Sequence, residues 1–90
     1  MSSEHFSPAQ VRGARGLLAW SVAKLARRSG LRLHAIEAYE AERGGLSDAA
    51  LQRLSRTLSG AGAIPIPAML GGEGVRLARP RRAAIKWTWS

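Results

Sequence analysis

The chain has 90 residues, with 14 Lys+Arg against 6 Asp+Glu for a formal net charge of +8, and no cysteine. That length supports one domain with a modest core and excludes two, and the missing cysteine excludes disulfides, cysteine-ligated zinc and thiol catalysis, which fits a reducing cytoplasm. The basic excess favours a polyanionic partner, nucleic acid or an anionic membrane surface, over a charge that only keeps the protein soluble.

Residues 1–6 read as a short, flexible polar arm, without the basic and apolar regions of a signal peptide. No apolar run is long enough to span a membrane, so the expected location is cytoplasmic. Ser7-Pro8-Ala9-Gln10 is a helix start: Ser7 caps, Pro8 suits the first helical position and Gln10 completes a capping box. The first helix runs from about Pro8 to Leu18, with Val11, Ala14 and Leu18 inward and Arg15 at the edge of that stripe. Gly13 and Gly16 weaken it as an isolated helix, so packing must hold it.

Ser21 caps a second helix, about Val22 to Ser29. Leu25 and Ala26 face inward; Lys24, Arg27 and Arg28 face out, as a solvated face or a phosphate clamp. Gly30 ends this helix with positive φ, and Leu31 drops into the core. A third helix follows, about Arg32 to Ala41, with Ile36 and Tyr39 inward and Glu40 beside them. Two short amphipathic segments around a Ser29-Gly30-Leu31 corner have the spacing of a helix-turn-helix. Gly44-Gly45 breaks the chain. A fourth helix starts after Leu46, with Ser47 as cap, Asp48 near its N-terminus and Leu51, Leu54 and Leu58 as its buried stripe. Gly60 and Gly62 end it.

From here the period becomes two-fold. Ile64 and Ile66 alternate with Pro65 and Pro67, and Gly74 to Ala78 forms a second candidate strand across a glycine-rich turn, which together read as a small β-hairpin. Residues two apart in a strand present their backbone groups to the same side. Pro65 and Pro67 therefore strip donors from one edge only, and any further strand must join the far side, along 74–78. The alternative is an irregular proline-containing linker. The tail, 79–90, opens with Arg79-Pro80-Arg81-Arg82 and closes with Ile85, Trp87 and Trp89 alternating with polar residues. It reads either as a third strand or packing arm, or as a disordered basic tail.

The ordered set Ala14-Arg15, Leu18, Trp20-Ser21, Leu25-Ala26, Gly30-Leu31, Ile36 and Glu40 resembles the Cro/phage-repressor-like (XRE-type) helix-turn-helix family of bacterial regulators, over about residues 8–60. The resemblance implies a mainly α fold. Residues 7–60 would form a compact four- to five-helix bundle with a central helix-turn-helix, followed by the hairpin (61–78, a candidate dimerisation element) and the basic tail. It implies a homodimer on a palindromic duplex-DNA operator, and a scaffold pair between Arg15 and Glu40. The recognition helix would be about 32–41.

On that reading, Ser21 and the free N–H groups after it hold a phosphate. Val22 stands where relatives often carry glutamine, and offers apolar contact to a thymine methyl. Arg32 and His34 are the best base readers; Glu37 can accept from cytosine, Leu33 makes apolar contacts only, and Ala38 is the remaining outward position. Arg43 and Ser47 are phosphate contacts, while Arg53 and Arg56 further along the fourth helix could be contacts or solvated. Arg79, Arg81 and Arg82 form a candidate arm for a narrow minor groove, with Trp87 and Trp89 packing at a dimer interface. The alternative function is a protein–protein interaction module on the same bundle, with RNA polymerase, another regulator or a toxin as partner; non-specific nucleic-acid binding is a third. His5 and His34 have no metal-binding spacing, and no nucleophile or phosphate-loop context occurs. Neither an enzyme nor a cofactor is expected.

Overall fold

The computed structural model describes residues 5–68 and 72–78. They form four helices, α1 (Pro8–Leu18), α2 (Val22–Ser29), α3 (Leu33–Glu40) and α4 (Asp48–Gly60), and two strands, β1 (Ala63–Ile66) and β2 (Gly74–Leu77). α3 is one residue shorter at each end than its sequence pattern suggested, because Arg32 and Ala41 serve as its caps. No fifth helix occurs among the described residues.

Each helix has a local reason to start and stop. Ser7 Oγ accepts the Gln10 N–H and Gln10 Oε1 accepts the Ser7 N–H, at 3.2 and 2.9 Å, so two orphan donors at the start of α1 are satisfied reciprocally. Ser21 and Ser47 cap α2 and α4 by accepting from the Lys24 and Ala50 N–H groups. The chain leaves α1, α2 and α3 through left-handed residues: Ala19 at φ 59°, Gly30 at φ 77° and Glu42 at φ 59°. At α1, the Trp20 N–H reaches the Arg15 carbonyl and the Ala19 N–H the Gly16 carbonyl. At α3, Arg43 and Glu42 bond Ala38 and Tyr39 in the same paired pattern. These are Schellman ends, and at both a side chain occupies the place glycine usually takes, at a cost of roughly 1–2 kcal/mol.

The core gathers Phe6, Val11, Ala14, Leu25, Ile36, Leu54, Leu58 and Ala63, all buried. Leu18, Ala26, Leu31, Tyr39 and Leu51, read as inward from sequence, are half-buried and pack against that centre. Phe6 corrects the reading of 1–6 as a flexible arm. It is fully buried, its N–H donates to Ser55 Oγ at 3.2 Å, and its carbonyl accepts the Tyr39 hydroxyl at 2.6 Å. The physical reason is a hydrophobic staple: Phe6 precedes the cap residue Ser7, and Val11, at the matching fourth helical position, is buried in the same cluster. Residues 1–4 lie outside the described residues.

β1 and β2 pair antiparallel, with Ile64 opposite Arg76 and Ile66 opposite Gly74. The Ala78 N–H donates to the Gly62 carbonyl at 2.7 Å, which fixes the phase of the ladder. Alternation then turns the backbone groups of Ile64 and Ile66 toward β2, and leaves Pro65 and Pro67 facing away from it. The proline-blocked edge is therefore the outer edge of β1. The hairpin lies close on α1: a Cβ at Gly13 would sit 2.9 Å from Val75 Cγ1, so Gly13 is where a strand approaches the helix. Gln10 pins the other end of the ladder, its Nε2 donating to both the Ile66 and Gly74 carbonyls at 2.9 Å.

Candidate nucleic-acid interface

α2 and α3 have eight residues each and pack against each other around the Gly30–Arg32 connection. Gly30 takes the left-handed conformation, its N–H bonds the Ala26 carbonyl, and Leu31 settles against the core. The buried Ser29 hydroxyl accepts the Leu31 N–H at 3.3 Å, so a side chain satisfies a donor inside the turn. Arg32, with no side-chain capping bond, sits exposed at the start of α3.

The expected contact residues do not share one environment. Ser21 and Ser47 are exposed, each holding a helix N-terminus through its hydroxyl. Arg43 is exposed and is held by its backbone N–H to Ala38. His34 and Glu37 point outward one turn apart, with Nδ1 and Oε1 3.4 Å from each other, so two expected base readers sit side by side. Val22 is half-buried and packs on the core, which leaves only part of its side chain for a ligand. Leu33 is half-buried, as is Ala38. α3 itself contains no lysine or arginine. Arg79, Arg81 and Arg82, with Trp87 and Trp89, lie outside the described residues.

Behind this surface, α1 and α3 are joined by charge. Arg15 Nε and Nη2 donate to the two carboxylate oxygens of Glu40 at 2.7 and 2.8 Å, and Arg15 Nη1 donates to the Trp20 carbonyl. Arg12 Nη1 donates to the Glu40 backbone carbonyl. The Glu40 side chain is only 8% exposed. Its hydrogen bond to Arg15 raises the guanidinium pKa further above its ordinary value, and burial opposes this in part. The bidentate fork is thus a scaffold contact with its charges spent inside the fold.

Trp20 has a role that the sequence reading did not assign. Lys24 Nζ and Arg28 Cζ lie 5.4 and 5.2 Å from its ring centroid, so two cations of α2 rest on one aromatic surface. The available signal was the Trp20, Lys24, Arg28 spacing, one helical turn at each step. Gln10 as the hairpin anchor was also missed; a capping-box residue gives no local sign of a second bond.

An open cleft of about 470 Å³ runs between the His5–Ser7 segment and the hairpin, lined among others by His5, Tyr39, Pro65 and Glu73. Glu73 accepts the Ser7 hydroxyl at 2.8 Å. Burial, and then the Glu73 charge, raise the Tyr39 pKa above its ordinary value. The Tyr39 hydroxyl is already committed to the Phe6 carbonyl. Among the described residues, no group of three or more His, Cys, Asp or Glu could hold a metal ion, and no helix is long and apolar enough to cross a membrane. In comparisons with known proteins, no family model and no curated protein matches the chain.

Proposed function

We propose that this protein is a sequence-specific duplex-DNA-binding transcriptional regulator of the Cro/phage-repressor-like kind. α2 and α3 act as its helix-turn-helix, and it works as a homodimer on a palindromic operator. The observation that carries this reading is the α2–Gly30–α3 unit: a serine-capped helix, a left-handed glycine corner and a following helix whose exposed residues start with Arg32 and His34. In this role the second helix enters the major groove. Ser21, Arg43 and Ser47 meet phosphates, Arg32 and His34 read base edges, and Val22, Leu33 and Glu37 contribute shape and selectivity around them. The chain's charge of +8 supplies long-range attraction. Arg79, Arg81 and Arg82 add an arm that follows the duplex beyond the main contact.

One observation favours a second reading. α3 has no Lys or Arg, and its exposed side chains are His34 and Glu37. A face this poor in cations also suits a protein partner, with the basic residues of α2 and α4 steering the encounter. Selection of sites from random duplex DNA, followed by a salt titration, separates the two. A palindromic consensus, with a salt slope that falls when Arg32 or Arg43 is removed, supports the regulator. Binding without a consensus supports charge-driven association alone. No binding at low salt, with a stoichiometric protein complex isolated instead, supports the interaction module.

A further inference from the structure

α2 carries three cations, Lys24, Arg27 and Arg28, and no acidic residue. Among the described residues, none of the three lies within ion-pair distance of a carboxylate. Two of them are held all the same. Lys24 Nζ and Arg28 Cζ lie 5.4 and 5.2 Å from the Trp20 ring centroid, whereas Arg27 is exposed and has no ring contact among the described residues. The ring is itself tied to the scaffold. The Trp20 N–H donates to the Arg15 carbonyl at 2.9 Å, its carbonyl accepts Arg15 Nη1 at 3.1 Å, and its side chain packs against the core. The buried Arg15–Glu40 fork thus fixes Trp20, and Trp20 fixes two surface cations.

Local helix chemistry accounts for only part of this cluster. Arg27 and Arg28 stand in the last turn of α2, where the dipole favours a cation. Lys24 is the third residue of α2, in the first turn, where the dipole is positive and a cation is disfavoured; no acid in that turn offsets it. Gathering Lys24 and Arg28 on one ring adds their mutual repulsion. Such departures from local rules are expected where a position serves binding instead of folding. An anion between the two side chains relieves both the repulsion and the unfavourable placing of Lys24.

We propose, resting on the DNA-binding reading and deepening it, that Lys24 and Arg28 form a phosphate clamp on the duplex backbone, with Trp20 as the positioning residue that holds them ready. Ser21, Lys24 and Arg28, spaced by three and four residues, share one face of α2, so the clamp continues the phosphate contact of Ser21 along the same strand. Long cationic side chains lose rotamer freedom when they bind, and a ring that already orders them lowers that cost. Phosphates carry no base information, so the clamp adds affinity across sequences. Arg27, off the ring, remains a solvated charge.

A duplex of random sequence, titrated with the full-length protein across a range of salt, tests the clamp without base readout. Lys24→Gln and Arg28→Gln are each expected to reduce the salt slope by about 0.9. Arg27→Gln removes the same charge away from the ring and should leave the slope nearly unchanged. Trp20→Leu keeps every charge, so the slope stays while affinity falls about fivefold or more, and Trp20→Phe, which restores a ring, recovers most of the loss. Lys24 and Lys86 are the only lysines in the chain, so peptide mapping reads the acetylation of each. The duplex should slow Lys24 acetylation in step with occupancy in wild type, and less at equal occupancy in Trp20→Leu, a difference that a purely structural role for the ring would not produce. Equal slope losses at Lys24, Arg27 and Arg28, or Lys24 acetylation indifferent to the duplex, overturn the clamp. Wild-type affinity in Trp20→Leu overturns the role of the ring. Wild-type binding with unchanged slopes in Lys24→Gln and Arg28→Gln overturns the clamp alone, whereas no wild-type binding at low salt overturns the DNA-binding reading and the clamp together.

Discussion

The two sides of α3 invite comparison because one short helix carries both. Inward, Ile36 and Glu40 are buried, and Glu40 binds Arg15 through both carboxylate oxygens and Arg12 through its carbonyl. Outward, His34 is 93% exposed and meets only Glu37, at 3.4 Å. Glu40 is fixed by two arginines of α1 and Ile36 is enclosed in the shared core, whereas the outward groups are fixed by little. Burial forces a residue to satisfy its polar atoms within the fold; exposure leaves that to water or a partner. The inward side is therefore determined by the fold, and the outward side is free to be set by what the protein binds.

The largest expected effect breaks the inward side. Glu40→Ala leaves the Arg15 guanidinium partly buried beside the space its partner filled and should cost about 3–5 kcal/mol, the usual penalty for removing one member of a buried pair. Denaturant unfolding checks this. A midpoint unchanged from wild type would mean that α1 and α3 are held by apolar packing alone. Any change in DNA preference should be secondary to the loss of folded protein.

A matched pair of glycines on α1 gives the next effect. Alanine at Gly13 places a methyl 2.9 Å from Val75 Cγ1, so either β2 or the side chain must move. The expected net loss is about 1–3 kcal/mol, the range for overpacking, despite the better helix propensity of alanine. At Gly16 a Cβ meets nothing within 4 Å among the described residues, and Gly16→Ala should stabilise by roughly 0.5–1 kcal/mol. Equal effects at the two positions, read from thermal or denaturant unfolding, would show that the hairpin does not rest on α1.

Tyr39 gives a smaller, pH-dependent effect. Its hydroxyl donates to the Phe6 carbonyl, and burial together with Glu73 raises its pKa above the ordinary value of 10.0. The folded state thus holds the phenol proton more tightly than the unfolded chain does. The resulting stability is complete below pH 10 and falls as pH rises through the folded-state value. Tyr39→Phe should lose about 0.5–1.5 kcal/mol near neutral pH, the typical net worth of one hydrogen bond, and show a shallower alkaline decline. Tyr39 is the only tyrosine in the chain, so phenolate absorbance reports it directly. A midpoint at or below 10 would remove the basis of the alkaline effect.

How much of this was legible in the sequence divides along the same line. The ends of α1 and α2, the caps Ser7, Ser21 and Ser47, the glycine corner and the buried Leu25, Ile36, Leu54 and Leu58 all follow from periodicity and end chemistry, because those signals act within a few residues. The proline-marked edge of β1 was also readable, since the missing donors and two-residue alternation are local properties. Phe6 was not recognised, although its staple partner Val11 stands five residues on. The contacts of Gln10 with Ile66 and Gly74, and of Gly13 with Val75, join α1 to a hairpin far along the chain. No local pattern carries such a contact, and a helix-weakening glycine makes sense only once the strand above it is known. The candidate DNA surface was legible as a set of exposed types, but not in how Val22 is shared with the core or how His34 and Glu37 face each other.

The smallest expected effect on stability is the most informative about function. His34→Ala removes a side chain that is 93% exposed with one marginal contact, and stability should stay within about 0.5 kcal/mol of wild type. If His34 reads a base edge, the same substitution relaxes preference at one base position and costs up to about 1–3 kcal/mol of discrimination, while the salt slope stays nearly constant. Arg43→Ala should do the reverse, lowering affinity across sequences and reducing the salt slope by about one unit. Site selection with each variant, paired with its unfolding midpoint, separates these roles. A His34→Ala protein with the wild-type melting temperature and an altered consensus would tie the exposed side of α3 to recognition. An unaltered consensus would remove His34 from the reading set, and would leave Arg32 as the only strong base reader on a helix otherwise without lysine or arginine.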